Sequence, residues 1–168
     1  MNRAMRALRS GIVRGARKVK LDHKYWRLRF TGTNHTATAK YVSPAEIQFR
    51  PTVGVAVTNM AALGTPSASS TFSPPTYSAD KAIDNNAGTA WICAQDQWNN
   101  SWWKMNFTTP QAIKQVMLQA FNTVPGAQQM PSGFVLEWSD NDTVWNGVLT
   151  VTGATAWGAS EVRTFNVP

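Results

Sequence analysis

The chain has 168 residues, of which 43% are hydrophobic and 15% charged, and it carries a net charge of +7. This length suits one domain with a substantial core, and the single cysteine excludes an intrachain disulfide or a thiolate metal cluster. No apolar run reaches the roughly 18 residues of a membrane-spanning helix, and no apolar segment follows the basic start, so we expect neither a membrane span nor a secretory signal.

The positive charge is concentrated in residues 1–24, which hold eight Lys and Arg against one acidic residue, Asp22. Apolar residues recur there at helical spacing, interrupted by Gly11 and Gly15. A disordered solvated tail, a segment that docks as a helix on an acidic or phosphate-bearing partner, and a transit peptide all remain open. We favour docking to a protein or nucleoprotein surface, with direct nucleic-acid contact not favoured because the rest of the chain is neutral. The partner-binding candidates are Arg3, Arg6, Arg9, Arg14, Arg17, Lys18 and Lys20.

Residues 25–168 form the predicted body, and their pattern is all-β. Bulky and basic residues alternate over 25–30, and a second alternating segment covers 45–50, as in half-buried strands. Segments 64–78 and 122–132 have the composition of long loops. Many short strands between turn signals predict a sandwich or barrel. The further predicted strands are 103–107, 113–121, 133–138, 147–151 and 162–167.

Three segments of the body carry recognisable motifs. Residues 78–91 resemble the loop A-x-D-G-x-x-x-T-x-W, residues 103–107 resemble the strand W-[IL]-x-[VF]-[DN]-[LF], and residues 134–145 resemble the hairpin Y-x-[VL]-x-[YW]-S-[DN]-D-G-x-x-W. Thr143 stands where that hairpin usually has glycine. In this order the motifs resemble the discoidin, or F5/8 type C, family of galactose-binding-like domains. The resemblance implies a discoidin-like jelly-roll β-sandwich or barrel behind a basic N-terminal arm.

The order of one element departs from this family. Residues 25–28 and 45–49 resemble the hairpin that closes the family's barrel after a segment like 163–165, yet here they come first. The domain is therefore either circularly permuted or exchanges this hairpin with a neighbouring subunit, which makes a homo-oligomer or strand-swapped neighbour an expected partner. This arrangement, with Trp157 in a turn before residues 163–165, also resembles bacteriophage virion proteins, tail or head fibres among them.

The sequence offers little for catalysis. His23 and His35 have no nucleophile or carboxylate motif beside them, and no metalloprotease, phosphate-binding or dinucleotide motif occurs. Cys93 follows a predicted buried segment and reads as an inert thiol. We therefore predict that the protein is not an enzyme.

One loop has the composition of a cation site. In discoidin-like lectins the matching loop supplies main-chain carbonyls, a carboxylate and a threonine, and an Ala-Glu pair of the closing hairpin completes the shell. The resemblance thus implies a structural Ca²⁺ or Na⁺, for which hard oxygen ligands are suited. The alternative is a turn that the Asp84 side chain stabilises with no ion. The predicted ligands are Lys81, Asp84, Asn86, Thr89, Ala45 and Glu46.

Ligand contacts in this family come from loops at one end of the barrel, often with an aromatic ring against a sugar. The candidates here are Phe72, Tyr77, Trp98 and Trp102, with Met130 in a second loop. No Arg/His pair that would grip galactose hydroxyls is evident. Trp91, Trp103 and Trp138 fall where strands alternate inward, and we expect them in the core.

Two function classes follow. The first is a structural or binding protein of a virus particle, such as a phage capsid decoration or a tail or fibre component. Its arm would contact capsid or tail proteins, its jelly roll would face outward for surface or glycan attachment, and it would be assembled in the host cytoplasm and reside in the virion. The alternative is a carbohydrate-binding module that recognises cell-surface or polysaccharide glycans. The separate basic arm favours the first class.

Overall fold

The computed structural model describes residues 21–54 and 59–168, which form two antiparallel sheets packed face to face. The basic residues predicted to bind a partner, from Arg3 to Lys20, lie outside this range. The strands are β1 His23–Thr33, β2 Glu46–Arg50, β3 Gly64–Ala68, β4 Trp102–Gln111, β5 Gln115–Gln119, β6 Pro131–Ser139, β7 Asn146–Val151 and β8 Val162–Asn166. The helical elements are α1, Val124–Ala127, and two 3₁₀ turns, Ala61–Leu63 and Ala79–Ala82. This architecture confirms the predicted all-β jelly-roll class.

The five-stranded sheet has the order β3-β4-β1-β6-β7, and the three-stranded sheet has the order β2-β5-β8. The first described strand, β1, therefore occupies the centre of the larger sheet, between β4 and β6. Its alternation explains this position, because Trp26, Leu28 and Phe30 are buried on one side while basic residues occupy the other.

The predicted closing hairpin over 25–50 is not a hairpin. Strand β1 pairs with β4 and β6 in one sheet, whereas β2 pairs with β5 in the other. The connection 34–45 crosses between the sheets, so two segments that alternate in the same way need not pair with each other. Both strands pair with strands of their own chain.

The segment 64–78, predicted as a loop, begins with a strand. Strand β3 pairs with β4 over residues 64–68, and no other described strand borders it. Its residues are small and show no alternation of bulky and polar side chains, so the sequence does not predict a strand here. Pro66 lacks the N–H that a central strand would need, and it is tolerated because β3 lies at the sheet edge.

The core between the sheets is aromatic. Trp91, Trp103, Phe30, Phe107 and Phe134 are fully buried, each stabilising the fold by very roughly 1.5–3 kcal/mol. The core prediction is correct for Trp91 and Trp103. Trp138 is partly buried and packs against the core.

Cys93 also lies inside this core, where its Sγ accepts a hydrogen bond from the Val42 N–H at 3.1 Å. Burial raises the pKa of the Cys93 thiol. The thiol is therefore held in its unreactive protonated form.

The two ends of the sandwich differ in their connections. Four connections leave the sheets at one end, which we call the loop end, whereas β2 and β3 are connected, over residues 51–63, at the other end; the four cover residues 34–45, 69–101, 120–130 and 152–161. Leu21 and Pro168 lie at the opposite end, where His23 pairs with Gln111 and Gln115 pairs with Asn166. Among the described residues, no helix has the length and apolar character to cross a membrane.

Candidate functional site

The loop 81–89 folds back on itself through its own polar side chains. Thr89 Oγ1 lies 2.8 Å from both Asp84 carboxylate oxygens and 2.9 Å from the Asn86 carbonyl oxygen. The Asn86 N–H donates to Asp84 Oδ1 at 3.1 Å, and Asn85 has a left-handed φ of 59°. Asp84 therefore stabilises a tight turn, which is the arrangement expected if no ion were needed.

Glu46, at the start of β2, lies beside this turn although it is 40 residues away in sequence. Its side chain is buried, and its Oε1 accepts a hydrogen bond from the Asn86 N–H at 2.9 Å. The Oε2 atom is buried and has no hydrogen-bond partner among the described residues. Burial, followed by the nearby Asp84 charge, raises the pKa of Glu46 to about 7 against the lowering effect of the Asn86 N–H.

These residues have the chemistry of a hard-cation site. An unpartnered buried carboxylate oxygen next to a second carboxylate is where a positive charge stabilises most, and oxygens are the ligands that Ca²⁺ and Na⁺ take. Lys81 Nζ supplies part of that charge, at 3.9 Å from Asp84 Oδ2. The described residues include no group of three or more His, Cys, Asp or Glu that could hold a metal, so main-chain and hydroxyl oxygens must complete any shell.

The structure thus brings Glu46, Asp84, Asn86 and Thr89 together. Ala45 is buried beside Glu46, where its N–H donates to the Gln119 carbonyl oxygen at 3.0 Å. A bound cation would neutralise the two carboxylates and tie β2 to the 81–89 turn.

Two of the four ligand-binding candidates lie together at the loop end. The Phe72 and Tyr77 rings have centroids 6.0 Å apart, and Tyr41 meets Phe72 edge-on at 5.3 Å. Phe72 is 38% exposed, which is high for a large apolar side chain. His35 packs against Tyr41 and accepts its N–H at Nδ1; burial and then Lys40 lower the pKa of His35.

A cavity of about 200 Å³ opens beside Tyr77. Apolar surface comes from Ile92 and Phe121, and Ser43 Oγ donates to Gln129 Oε1 at 3.0 Å on the polar side. No charged side chain lines this cavity, which we call the loop-end pocket. Its lining residues are Ser43, Tyr77, Ile92, Phe121, Thr123, Gly126 and Gln129.

The other aromatic candidates lie elsewhere. Trp98 is partly buried against the core, with Lys40 Nζ 5.8 Å from its ring centroid. Trp102 pairs with Arg29 on the outer face of the five-stranded sheet, and its ring is 5.2 Å from Lys104 Nζ. Met130 is fully buried, so its prediction as a ligand contact is wrong; it fills the core beneath the loops.

Sequence reasoning missed several residues of the loop end. Tyr41, Ser43, Phe121 and Gln129 come from connections that are distant in sequence, and only the fold brings them near Tyr77. One of them, Tyr41, could have been recognised from the sequence. It lies in a turn-rich segment without strand alternation, so the buried face of a strand does not account for this aromatic residue.

Comparison with known proteins adds one finding. The family model described as "F5/8 type C domain" matches residues 66–168, which is more than half of the chain. Searches of the curated proteins and of the solved structures each gave no match. The matched segment runs from β3 to β8, so β1 and β2 complete the two sheets from outside it. The chain belongs to the F5/8 type C domain family, whose domains are in general non-catalytic modules that bind carbohydrates or other ligands.

Proposed function

We propose that this protein is an attachment module that binds a neutral glycan at its loop end and is anchored by its basic arm at the opposite end. The observation that carries the proposal is the loop-end pocket, which joins aromatic and polar surface without a charged side chain. Pockets of that composition suit small ligands that have both apolar faces and hydroxyl groups.

The chemistry of the pocket favours a neutral sugar. Tyr77 and Phe121 offer ring surface against which the C–H face of a pyranose can pack. Ser43 and Gln129 already hydrogen-bond each other, which leaves the Gln129 amide nitrogen to donate to a sugar hydroxyl. An acidic sugar would find no cation among the lining residues, and the neighbouring 81–89 turn carries the Asp84 carboxylate.

The position of Leu21, where the arm joins the described domain, supports the anchoring role. Leu21 lies at the end opposite the loops, so an arm held there by a partner leaves the loop-end pocket facing away from it. The arm carries the whole net charge of the chain, which suits an acidic partner such as a capsid or tail protein of a virus particle. We therefore place the module on a virion surface as the favoured setting of its function.

The proposed cation belongs to this function as a structural element. Ca²⁺ or Na⁺ between Glu46 and the 81–89 turn would fix the turn against β2. The Ala87 carbonyl oxygen of that turn accepts the Asn122 N–H at 2.9 Å, and Asn122 lies between the pocket residues Phe121 and Thr123. The site would therefore hold one wall of the pocket in place.

The pocket is tested by sugar titration. NMR titrations of the full chain with galactose, glucose, mannose and N-acetylglucosamine should show binding of at least one sugar. Tyr77→Ala should weaken it about tenfold, as expected when an aromatic anchor is lost. The control is Leu63→Ala, an exposed apolar residue on the first 3₁₀ turn, outside the pocket, which should leave the affinity unchanged. Equal affinities for the wild type and Tyr77→Ala would contradict the proposal.

The arm is tested by deletion. Removing residues 1–20 leaves β1 whole, because that strand begins at His23, so we expect a folded protein with unchanged sugar binding. The truncated chain should fail to join its particle, and attachment of the full chain should weaken with salt, because exposed charges are screened beyond about 10 Å at 0.1 M. Normal incorporation of the truncated chain would refute the anchoring role.

A further inference from the structure

We propose that the outer face of the five-stranded sheet is a second binding surface, for an acidic polysaccharide that carries carboxylate or sulfate groups. This surface, which we call the cation–aromatic face, alternates basic and aromatic side chains over two neighbouring strands and one adjacent loop. Its defining residues are Tyr25, Arg27, Arg29, Trp102, Lys104 and Trp145.

The face holds more cations than carboxylates, although the body as a whole is neutral. Residues 21–168 hold nine Lys and Arg and nine Asp and Glu. Three of these cations, Arg27, Arg29 and Lys104, lie on the face with two carboxylates, Glu137 and Asp142. Lys24 adjoins the face at the end where Asp140 follows Ser139, the partner of Tyr25. The small excess of positive charge on the face, beside exposed rings, suits a polyanion.

Aromatic rings flank the cations, and Asp142 also binds Lys104, with 2.6 Å between its Oδ2 and Lys104 Nζ. Lys24 Nζ and Lys104 Nζ lie 5.5 Å and 5.7 Å from the Tyr25 ring centroid, and Lys104 is also 5.2 Å from the Trp102 ring. These contacts form a ladder in which cation and ring alternate. On the other side of β1, the Arg27 guanidinium lies 4.0 Å from the Trp145 ring centroid. Cations fixed in this way lose little freedom when they bind an anion.

The carboxylates leave hydrogen-bond donors for a ligand. Glu137 accepts from Nε of Arg27 at 2.6 Å and from Nε of Arg29 at 3.0 Å. Both contacts use the inner nitrogen of the guanidinium, and the two outer nitrogens of Arg27 have no hydrogen-bond partner in the part of the chain that the structure describes. Guanidinium groups in this arrangement suit carboxylate and sulfate oxygens.

The shape of the face admits an extended chain. At its two margins, Ser67 of β3 lies opposite Lys104, and Gly147 of β7 lies opposite Glu137. Small residues at both margins allow a polymer to cross the strands and to lie on the exposed rings. A polysaccharide suits this face better than a nucleic acid, because the chain belongs to a family of modules that bind carbohydrates or other ligands.

The test compares two double variants of the full chain, so that the arm contributes equally to both. Lys24→Gln/Lys104→Gln removes two cations of the ladder and spares the partners of the buried Glu137. Lys40→Gln/Lys114→Gln removes the same charge away from the face. Calorimetric titrations use alginate as the carboxylated probe, dextran sulfate as the sulfated probe, and neutral dextran and poly(dT) for comparison, with melting curves to verify folding.

We expect the ladder variant to lose about tenfold in affinity for alginate, dextran sulfate or both, and the control variant to lose less than about twofold. Trp102→Ala, which changes no charge, should also weaken binding, about threefold. Equal losses in the two double variants, no loss in the ladder variant, or a loss confined to poly(dT) would overturn the proposal. Galactose titration of the ladder variant should match the wild type, so this result is separate from that of the loop-end pocket.

Discussion

Two buried glutamates, Glu46 and Glu137, lie on strands of different sheets and have opposite surroundings. Glu137 is flanked by two guanidinium groups, at 2.6 Å from Arg27 and 3.0 Å from Arg29. Glu46 has one backbone N–H, a neighbouring carboxylate and an unpartnered Oε2. The first carboxylate is stabilised by the chain itself, whereas the second needs a proton or an external cation. The difference separates a carboxylate whose charge the chain itself balances from one that is a candidate cation ligand.

The largest expected effect on stability comes from removing the Glu137 carboxylate. Glu137→Ala leaves two largely covered arginines facing each other without their shared partner, and we expect a loss of about 3–5 kcal/mol in the free energy of unfolding. The matched control is Asp142→Ala, which removes the more exposed partner of Lys104 and should cost less than about 1 kcal/mol. Urea unfolding of both variants measures this, and equal losses would show that burial does not distinguish the two pairs.

The raised pKa of Glu46 should make the stability of the protein depend on pH. The unfolded carboxyl loses its proton near pH 4.5, whereas the folded one retains it until about pH 7. The folded state therefore binds more protons in this window. Without added cation, we expect the contribution of Glu46 to the free energy of unfolding to be complete below about pH 4.5 and to be lost as the pH rises through 7. The loss is at most about 3.5 kcal/mol, since one pKa unit corresponds to about 1.4 kcal/mol.

Unfolding measured from about pH 5 to 8 in chelator tests this expectation. Glu46→Gln should flatten the profile. Glu161→Gln is the matched control, because its Arg163 hydrogen bond holds the pKa of Glu161 below its usual value and hence below this window. A wild-type profile as flat as that of Glu46→Gln would contradict the raised pKa.

A smaller effect is expected from the cation. A ligand that binds only the folded state stabilises by about 2.7 kcal/mol when its free concentration is about 100 times its Kd. Added Ca²⁺ should therefore raise the Tm of the wild type, and Glu46→Ala or Asp84→Ala should abolish this shift. Asp80→Ala, an exposed aspartate on the preceding 3₁₀ turn, should retain it. Melting curves that respond to neither Ca²⁺ nor chelator would refute a Ca²⁺ site.

The sequence predicts strands better than it predicts their partners. Alternation identified β1 and β2 because their buried residues recur at every second position. It could not reveal that they belong to different sheets, since alternation states which face is buried and not which strand lies alongside. Strand β3 escaped prediction because its small residues pack at an edge.

The candidate sites divide in the same way: a local motif can be predicted from the sequence, and a pocket built from distant segments cannot. The residues of the 81–89 turn are local and could be recognised as a motif, and the resemblance brought Glu46 into the same set. The loop-end pocket could not be found this way, because Ser43, Ile92 and Phe121 meet only after three long connections have folded. Trp102 was a candidate by residue type, but its position on β4 directs it to the outer sheet face.

The central position of β1 has a consequence for how the protein is made. Both neighbours of this strand are distant in the chain: β4 ends at Gln111 and β6 ends at Ser139. During synthesis the first strand must therefore wait, with Trp26, Leu28 and Phe30 unpaired, until most of the polypeptide has left the ribosome. Pairing over such separations is slow, because a long loop must close before any contact is gained. Growing chains should thus depend on a chaperone or on slow translation more than a relative whose corresponding strand emerges last.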